Sequence, residues 1–450
     1  MFNLVKGTHD VIQNEAEKYS YVENLLMQVA TLYDYKEFRT PILESSELFT
    51  RSVGDSSDIV RKEMYTFIDK GGRSITLRPE ITAGTIRAMV NNKLFANLDF
   101  PVKAFYCGPN FRYERPQQGR YRQFNQFGVE CAGVILPERD AEVISLGYNS
   151  LSLLGFKNVK LLINTLGDEK TRLKYREALK EYFSKHIDDM CSDCKERFNL
   201  NILRILDCKV EDDRKIIDQA PKIHDYLTPK AKENFDRILK ILDNLEIPYE
   251  IDDELVRGLD YYSGVVFEFH YISKLGKDYG AIGAGGHYSN LVTEIGGPKD
   301  PKIEGCGFAM GIERLVSVLN DDGILSNIED ELDVYIMPLG EKAIEYSMSL
   351  GNALRLNGFS CDICLENKNM NQMFKKAERR NAKFGIVIGD DEINKGTLTV
   401  KNLETKEQFE VSEDEIIDKL DKLFDDDEHD HCHDDCCCHD EHCSCHHHHE

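Results

Sequence analysis

The chain has 450 residues, of which 41% are hydrophobic and 30% are charged. This length and balance suit two or three globular domains and exclude a chain that is disordered throughout. The formal net charge of −24 argues against a protein that coats nucleic acid indiscriminately, because such proteins are usually basic. No apolar run reaches the length of a membrane span and no signal sequence follows Met1, so we expect a cytoplasmic protein.

Helices and long antiparallel strands alternate in the first two thirds of the chain. Asn14 is predicted to cap a helix, because apolar residues follow it at helical spacing. Strands are predicted at 102–108 and 126–134, and Pro137 begins a second helix. Apolar and polar residues then alternate over 265–271, as in a half-buried antiparallel strand. These elements predict an α+β fold built on an antiparallel sheet.

Three changes of composition divide the chain. Residues 168–245 are rich in Lys, Asp and Glu and helical in pattern, which indicates a helical insertion in a first domain of residues 1–325. Residues 331–424 alternate strand and helix, which predicts a small α/β domain with a mainly parallel sheet. The last 26 residues, 425–450, carry six Cys, nine His and ten acidic residues. We expect this tail to be disordered without metal.

An arginine-rich hairpin is the densest chemical signal. Residues 111–123 contain four arginines and one glutamate between two strand-like segments. Guanidinium groups bind phosphate through paired hydrogen bonds, so the hairpin suits an anionic substrate. A charged hairpin paired with surface carboxylates is the plainer interpretation.

Four other segments, 76–82, 255–264, 284–288 and 305–315, carry weaker signals. Each has a structural explanation by itself, such as a helix start or a tight turn. Together with the arginine hairpin, their order and spacing resemble the histidyl-tRNA synthetases, which are class II aminoacyl-tRNA synthetases. The resemblance covers residues 1–424.

The resemblance implies a function and a fold. The fold would be a class II catalytic domain with a helical insertion, followed by an anticodon-binding domain. The reaction would be histidine–tRNA ligation: ATP and Mg²⁺ activate histidine as histidyl-adenylate, and histidine then passes to the 3′ end of tRNA(His). A homodimer is also implied. One departure is His287, where the family more often has Arg, followed by Ser289 where Asp is usual.

The resemblance also implies the residues of the site. Arg112 and Arg257 would be catalytic, at the α-phosphate. Histidine would be bound by Glu80, Ile81, Thr82, Arg112, Gln126, Glu130, Arg257, Tyr261 and Tyr262. ATP would be bound by Arg112, Glu114, Arg120, Phe124 and Arg314. The tRNA would contact Lys375, Lys376, Arg379 and Arg380, for which a solvated basic helix face is the plainer explanation.

Two groups of cysteines suggest metal binding. Cys191, Cys194 and Cys208 supply three thiols, which His186 could complete as a zinc site, although ordinary reduced cysteines are the preferred interpretation. The tail has the composition of a Zn²⁺ or Ni²⁺ chelator. Its candidate ligands are Cys432, His433, Cys436, Cys437, Cys438, Cys443 and Cys445.

Two alternative functions remain open from the sequence. The first is the synthetase-like regulatory subunit of ATP phosphoribosyltransferase, which lacks the anticodon domain and has degraded catalytic motifs. Arg112, Arg257 and the domain at 331–424 argue against it. The second is metal storage by the tail, which leaves the rest of the chain unexplained.

Overall fold

The computed structural model describes residues 2–54, 57–96, 101–115, 119–299, 302–329, 331–366 and 368–424. The chain forms two compact units, one that ends at Ile328 and one that begins at Glu329. The tail at 425–450, with its predicted metal ligands, lies outside the described residues. No helix within the described ranges is long and apolar enough to cross a membrane.

An eight-stranded sheet forms the centre of the first unit. Its strands lie in the order β1-β5-β6-β11-β10-β9-β7-β8; the two edge pairs are parallel and the pairs between them are antiparallel. In chain order, the strands of the whole first unit are β1 (Lys36–Glu37), β2 (Leu43–Ser45), β3 (Tyr65–Ile68), β4 (Ser74–Leu77), β5 (Val102–Phe111), β6 (Gln123–Gly133), β7 (Lys160–Thr165), β8 (Tyr249–Ile251), β9 (Tyr262–Ile272), β10 (Asp278–Tyr288) and β11 (Glu304–Gly311). The strands β2, β4 and β3 form a separate small sheet.

Helices pack around this sheet. They are α1 (Asn14–Leu32), α2 (Ser46–Val53), α3 (Thr82–Asn91), α4 (Pro137–Leu153), α5 (Glu169–Phe183), α6 (Ser192–Leu200), α7 (Glu211–Ile217), α8 (Pro229–Asn244), α9 (Leu291–Glu294) and α10 (Ile312–Asp321). Helices α5 to α8 lie within the stretch predicted as a helical insertion. Their buried Tyr175, Leu179 and Phe183 belong to the same apolar cluster as Tyr261 and Tyr288 of the sheet region, so the insertion packs directly beside the residues that the sequence assigns to the site.

The predicted cap of α1 is wrong. Asn14 is the first residue of the helix, and Gln13 precedes it with a φ of 54° and no side-chain cap. The backbone N–H groups of Ala16 and Glu17 both point to the carbonyl of Gln13. The turn into α1 is therefore made by the left-handed backbone of Gln13, which the capping pattern did not indicate.

The second unit is a five-stranded sheet with helices. Strands β13, β12 and β14 are parallel, and β14, β15 and β16 continue as an antiparallel meander. Its elements are β12 (Leu332–Pro338), α11 (Glu341–Leu356), β13 (Cys361–Ile363), α12 (Met370–Arg379), β14 (Ala382–Ile388), α13 (Asp390–Lys395), β15 (Thr397–Asn402) and β16 (Gln408–Ser412), followed by a helix, α14, at 416–424. Asn369 and Gln372 form a capping box at the start of α12.

Candidate active site

A cleft of about 820 Å³ lies over one face of the large sheet. The predicted histidine and ATP residues that line it are Glu80, Thr82, Arg112, Glu114, Arg120, Phe124, Gln126, Glu130, Arg257, Tyr261, Tyr262 and Arg314. Ile81 does not line the cleft, because its side chain is packed in the interior. The folded chain thus brings together residues from four separate stretches of sequence.

Strand alternation explains why β6 supplies so much of the cleft. Phe127 and Val129 point into the apolar core of the first unit. Successive side chains on a strand point to opposite faces, so the even-numbered Phe124, Gln126 and Glu130 point into the cleft. The neighbouring strand β11 contributes Gly307, Ala309 and Gly311 to the lining. These small residues leave space above the middle of the sheet, and the Glu130 carboxylate occupies the part next to Gly307.

Glu130 is the buried acid of the cleft, with 2% of its surface exposed. The hydroxyl of Tyr106 donates to one carboxylate oxygen at 3.1 Å, and the hydroxyl of Tyr288 donates to the other at 2.8 Å. Burial raises the pKa of Glu130 to about 8, although its hydrogen bonds oppose the rise. The cleft therefore holds a carboxyl that can change its protonation state near neutral pH.

Tyr106 and Tyr288 were not predicted as site residues. Glycines across the sheet provide the space for both, since a Cβ on Gly128 would overlap the Tyr106 ring and a Cβ on Gly305 would overlap the Tyr288 ring. A Cβ on Gly307 would likewise overlap the Glu130 carboxylate. Glycines at alternate strand positions were the available signal, but the sequence does not reveal which side chain fills each space.

Glu80 lies just before α3, and only one of its two carboxylate oxygens is hydrogen-bonded among the described residues. The backbone N–H of Ala83 donates to Oε1 at 3.0 Å, whereas the buried Oε2 has no partner among the described residues. Burial raises the pKa of Glu80 above its ordinary value. Gln126 also lines the cleft and accepts a hydrogen bond from Asn110 at 2.7 Å. A polar ligand in the cleft could complete the hydrogen bonding of Glu80.

Three arginines surround the outer part of the cleft. Arg112 donates from Nε to the carbonyl of Pro79 at 2.8 Å, and its guanidinium lies 5.2 Å from the centre of the Phe124 ring. Glu114 lies 3.8 Å from Arg112 and 3.9 Å from Arg120. Arg314 donates to a backbone carbonyl of β10 at 2.6 Å. Residues 116–118 of the arginine hairpin lie outside the described ranges.

A fourth arginine, Arg257, reaches the cleft from the segment before β9. It forms an ion pair with Glu268, which also contacts His270 Nε2 at 2.8 Å. Burial by itself raises the pKa of Glu268, but the hydrogen bond of His270 and the charge of Arg257 lower it below its ordinary value. Glu268 and His270 were not predicted, although their alternation with the buried Phe267 and Phe269 along β9 marks them as cleft-facing.

His287 occupies a buried, acidic environment. Its Nδ1 lies 3.0 Å from Asp140 and its Nε2 lies 3.6 Å from Glu304. Burial by itself lowers the pKa of His287, yet the charge and hydrogen bond of Asp140, together with Glu304, raise it to about 10. A protonated His287 therefore keeps a positive charge at a position where the resemblance led us to expect Arg. Next to it, the hydroxyls of Ser263 and Ser289 are 2.8 Å apart.

The predicted tRNA residues lie on and just after α12. Met373 and Ala377 face the interior, while Lys375, Arg379 and Arg380 are exposed. Lys376 instead pairs with Glu366 at 2.5 Å. The exposed basic charge on this helix thus belongs mainly to three of the four predicted residues.

An antiparallel-centred sheet, an arginine-bearing hairpin and a polar cleft above their junction define a class II aminoacyl-tRNA synthetase. Residues 7–315 match the histidyl-tRNA synthetase family and residues 333–423 match the anticodon-binding domain family. The chain belongs to the histidyl-tRNA synthetase family. The predicted family, fold class and enzyme class are therefore confirmed.

Individual relatives agree with this assignment. The histidine–tRNA ligase of Bacillus licheniformis is 48% identical over 92% of this chain and 97% of its own length. That of Staphylococcus aureus (strain JH9) is 44% identical over 94% of this chain and 100% of its own length. The crystal structure of apo S. aureus histidyl-tRNA synthetase has a TM-score of 0.79 at 39% identity, covering 93% of this chain and 100% of that one.

Proposed function

We propose that the chain is a histidine–tRNA ligase. It joins histidine and ATP as histidyl-adenylate, releases pyrophosphate, and transfers histidine to the 3′ end of tRNA(His). The observation that carries this proposal is one cleft that holds a buried carboxyl, Glu130, beside the guanidinium groups of Arg112 and Arg257. Such a cleft suits a substrate with a polar ring at one end and a phosphate at the other.

Histidine selection would depend on the buried polar groups. The imidazole has two nitrogens, and we assign Glu130 and Tyr262 as their partners. Glu80, Thr82 and Gln126 would hold the amino and carboxylate groups, and the unpartnered oxygen of Glu80 supports this orientation. An amino acid without the imidazole nitrogens would leave these partners unpaired, which is costly in a buried site.

Adenylate formation would depend on positioning and charge. Negative charge develops at the α-phosphate as the histidine carboxylate attacks it, and Arg112 and Arg257 would stabilise that charge. The hydrogen bond of Arg112 to Pro79 and the ion pair of Arg257 with Glu268 fix both guanidinium groups in advance. No covalent enzyme intermediate is needed.

The rest of the nucleotide would lie along the arginine hairpin. Arg120 and Arg314 would bind the outer phosphates, Glu114 would accept a hydrogen bond from the adenine amino group, and Phe124 would stack on the ring. Mg²⁺, when bound, would neutralise negative charge on the phosphates. The carboxylates of the cleft, including the unpartnered oxygen of Glu313, provide the hard oxygen atoms that this ion prefers.

The decisive experiment is histidine-dependent exchange between ATP and pyrophosphate. Only the ligase performs it, so it separates this function from the regulatory subunit and from metal storage. Arg257→Ala should lower the exchange rate by about 100-fold or more, because one charge at the α-phosphate is lost. Arg237→Ala removes an arginine from a surface pair with Glu138 and is the matched control. Equal rates for Arg257→Ala and the parent would refute the assigned role.

For tRNA binding we propose the exposed basic face of α12. Charge reversal at Arg379 and Arg380 should weaken tRNA binding and reduce its salt dependence, because fewer counterions are released. Arg237→Glu, which reverses a surface charge on α8, is the control. Binding measured across a salt series should give a lower slope for the double variant; an unchanged slope would argue for a purely solvated face.

We further propose a homodimer in the cytoplasm. Exposed apolar side chains lie on the small sheet, including Leu43 of β2 and Phe67 and Ile68 of β3. Burial of these residues against a second copy would stabilise the pair. Light scattering should give twice the chain mass for the parent, and Leu43→Glu with Phe67→Glu should shift it toward the monomer. A monomeric parent would contradict the proposal.

A further inference from the structure

Four potential metal ligands converge in the helical insertion, away from the catalytic cleft. One ligand atom from each of Cys191, Cys194, Cys208 and Asp213 can be chosen so that all lie within 4.8 Å of one another. The sulfurs of Cys191 and Cys208 are 3.9 Å apart, and the Cys208 sulfur is 3.3 Å from Asp213 Oδ2. Two ligands on a tetrahedral zinc ion are separated by about 3.8 Å for two sulfurs and about 3.5 Å for sulfur and oxygen.

Local structure explains how the ligands meet. Cys191 precedes α6, and its sulfur accepts the backbone N–H of Cys194 at 3.4 Å. The C-x₂-C spacing therefore places both sulfurs at the start of one helix. A 3₁₀ turn at Ile202–Asp207 returns the chain to this helix, which brings in Cys208. Asp213 follows in the first turn of α7.

The environment of Asp213 provides an independent argument. Its side chain is buried and takes part in no ion pair among the described residues. Its carboxylate accepts the backbone N–H of Cys191 at 3.1 Å and 3.2 Å and lies beside the Cys208 thiol. Buried carboxylates are usually paired with a cation or bound to a metal, and a metal ion held between this one and three sulfurs would neutralise its charge.

We propose that Cys191, Cys194, Cys208 and Asp213 form a four-coordinate structural zinc site. Zinc binding releases the three thiol protons to solvent and leaves no open position for a substrate. His186, offered by the sequence as the fourth ligand, instead packs on Tyr182 with the ring centres 5.0 Å apart.

The zinc ion would connect the insertion to the wall of the catalytic cleft. The 3₁₀ turn between the ligands carries Arg204, which pairs with Asp58 at 2.6 Å. The residue before that turn, Asn201, donates to Asp260 at 2.7 Å. The site would therefore stabilise the segment that contacts the cleft, without touching substrate.

The test measures zinc in the full-length chain. Because the 425–450 tail can itself chelate metal, the starting protein has its tail Cys replaced by Ser and its tail His by Asn. After growth with added zinc and dialysis against a weak chelator, this protein should retain one zinc per chain. Cys194→Ser and Cys208→Ser should each lower retained zinc at least about tenfold. Cys364→Ser, in a C-x₂-C pair that begins on β13, is the matched control and should retain it.

A conservative variant guards against misfolding. Asp213→Asn keeps all three thiols and the side-chain shape, so it should fold and lose zinc to a competing chelator faster than the parent. Co²⁺ in place of zinc should give sulfur-to-cobalt absorption that disappears in Cys208→Ser. The proposal is overturned by a tail-substituted chain without zinc, by zinc that Cys194→Ser leaves unchanged, or by a Cys191–Cys208 disulfide in freshly purified protein.

Discussion

Replacing Glu130 with Gln should stabilise the first unit increasingly as the pH rises. Burial raises the pKa of Glu130 from 4.5 to about 8. Because this folded-state pKa lies above the unfolded one, the fold favours the protonated acid. The stability contributed by that preference is present at low pH and is lost as pH rises from about 4.5 to about 8. Compared with a carboxyl whose pKa is the same in the folded and unfolded states, Glu130 lowers the free energy of unfolding by about 1 kcal/mol at pH 5 and by about 3 kcal/mol at pH 7.

The assay compares urea unfolding of the parent and of Glu130→Gln at both pH values. The difference in unfolding free energy should change by about 2 kcal/mol in favour of the variant between pH 5 and pH 7. Altered hydrogen bonds with Tyr106 and Tyr288 add an offset that does not depend on pH in this range, so the change with pH is the decisive quantity. A difference that stays constant, or that moves toward the parent, would refute the reasoning. Histidine-dependent exchange should be lost in the same variant.

Three other changes test the packing, the buried histidine and the tail. Gly307→Ala should prevent stable folding of the first unit, because its Cβ would overlap the Val129 carbonyl, whereas Gly258→Ala, with open space around it, should unfold at the parent temperature by circular dichroism. His287→Gln should lower the free energy of unfolding by about 3 kcal/mol near pH 6, because it leaves a buried carboxylate without its cation. The folded pKa of His287 is raised to about 10, so its contribution is present below about 6.5 and declines toward pH 10; urea midpoints that differ equally at pH 6 and pH 10 would contradict this. A chain that ends at residue 424 should charge tRNA at the parent rate, and a lower rate would show that the tail takes part.

Periodicity predicted the scaffold of the site better than its polar interior. Alternation along β6 and β9 places alternate residues in the core and the cleft, because side chains on a strand point to opposite faces. Periodicity could not predict the hydrogen-bond partners of Glu130, because Tyr106 and Tyr288 come from two other strands and meet it only in the folded sheet. The family resemblance supplied residue roles that spacing alone could not.

The metal ligands illustrate the same limit. Three cysteines were visible in the sequence, but the fourth group was not, because Asp213 lies in a first helical turn with two other acidic residues, Glu211 and Asp212. From the sequence alone, any of these three carboxylates could be the fourth ligand. The fourth ligand is the carboxylate that lies next to the sulfurs after the 3₁₀ turn has led the chain back to α6. That position depends on tertiary structure.

The charge of the whole chain says little about the charge that a substrate would meet. Within a chain of net charge −24, Arg112 and Arg257 are held in place by a backbone carbonyl and by Glu268. Glu114 lies 3.8 Å from Arg112, too far for a strong hydrogen bond. The terminal nitrogens of Arg112 can therefore turn to phosphate without breaking a tight ion pair. An acidic protein can in this way present preorganised cations where an anionic transition state requires them.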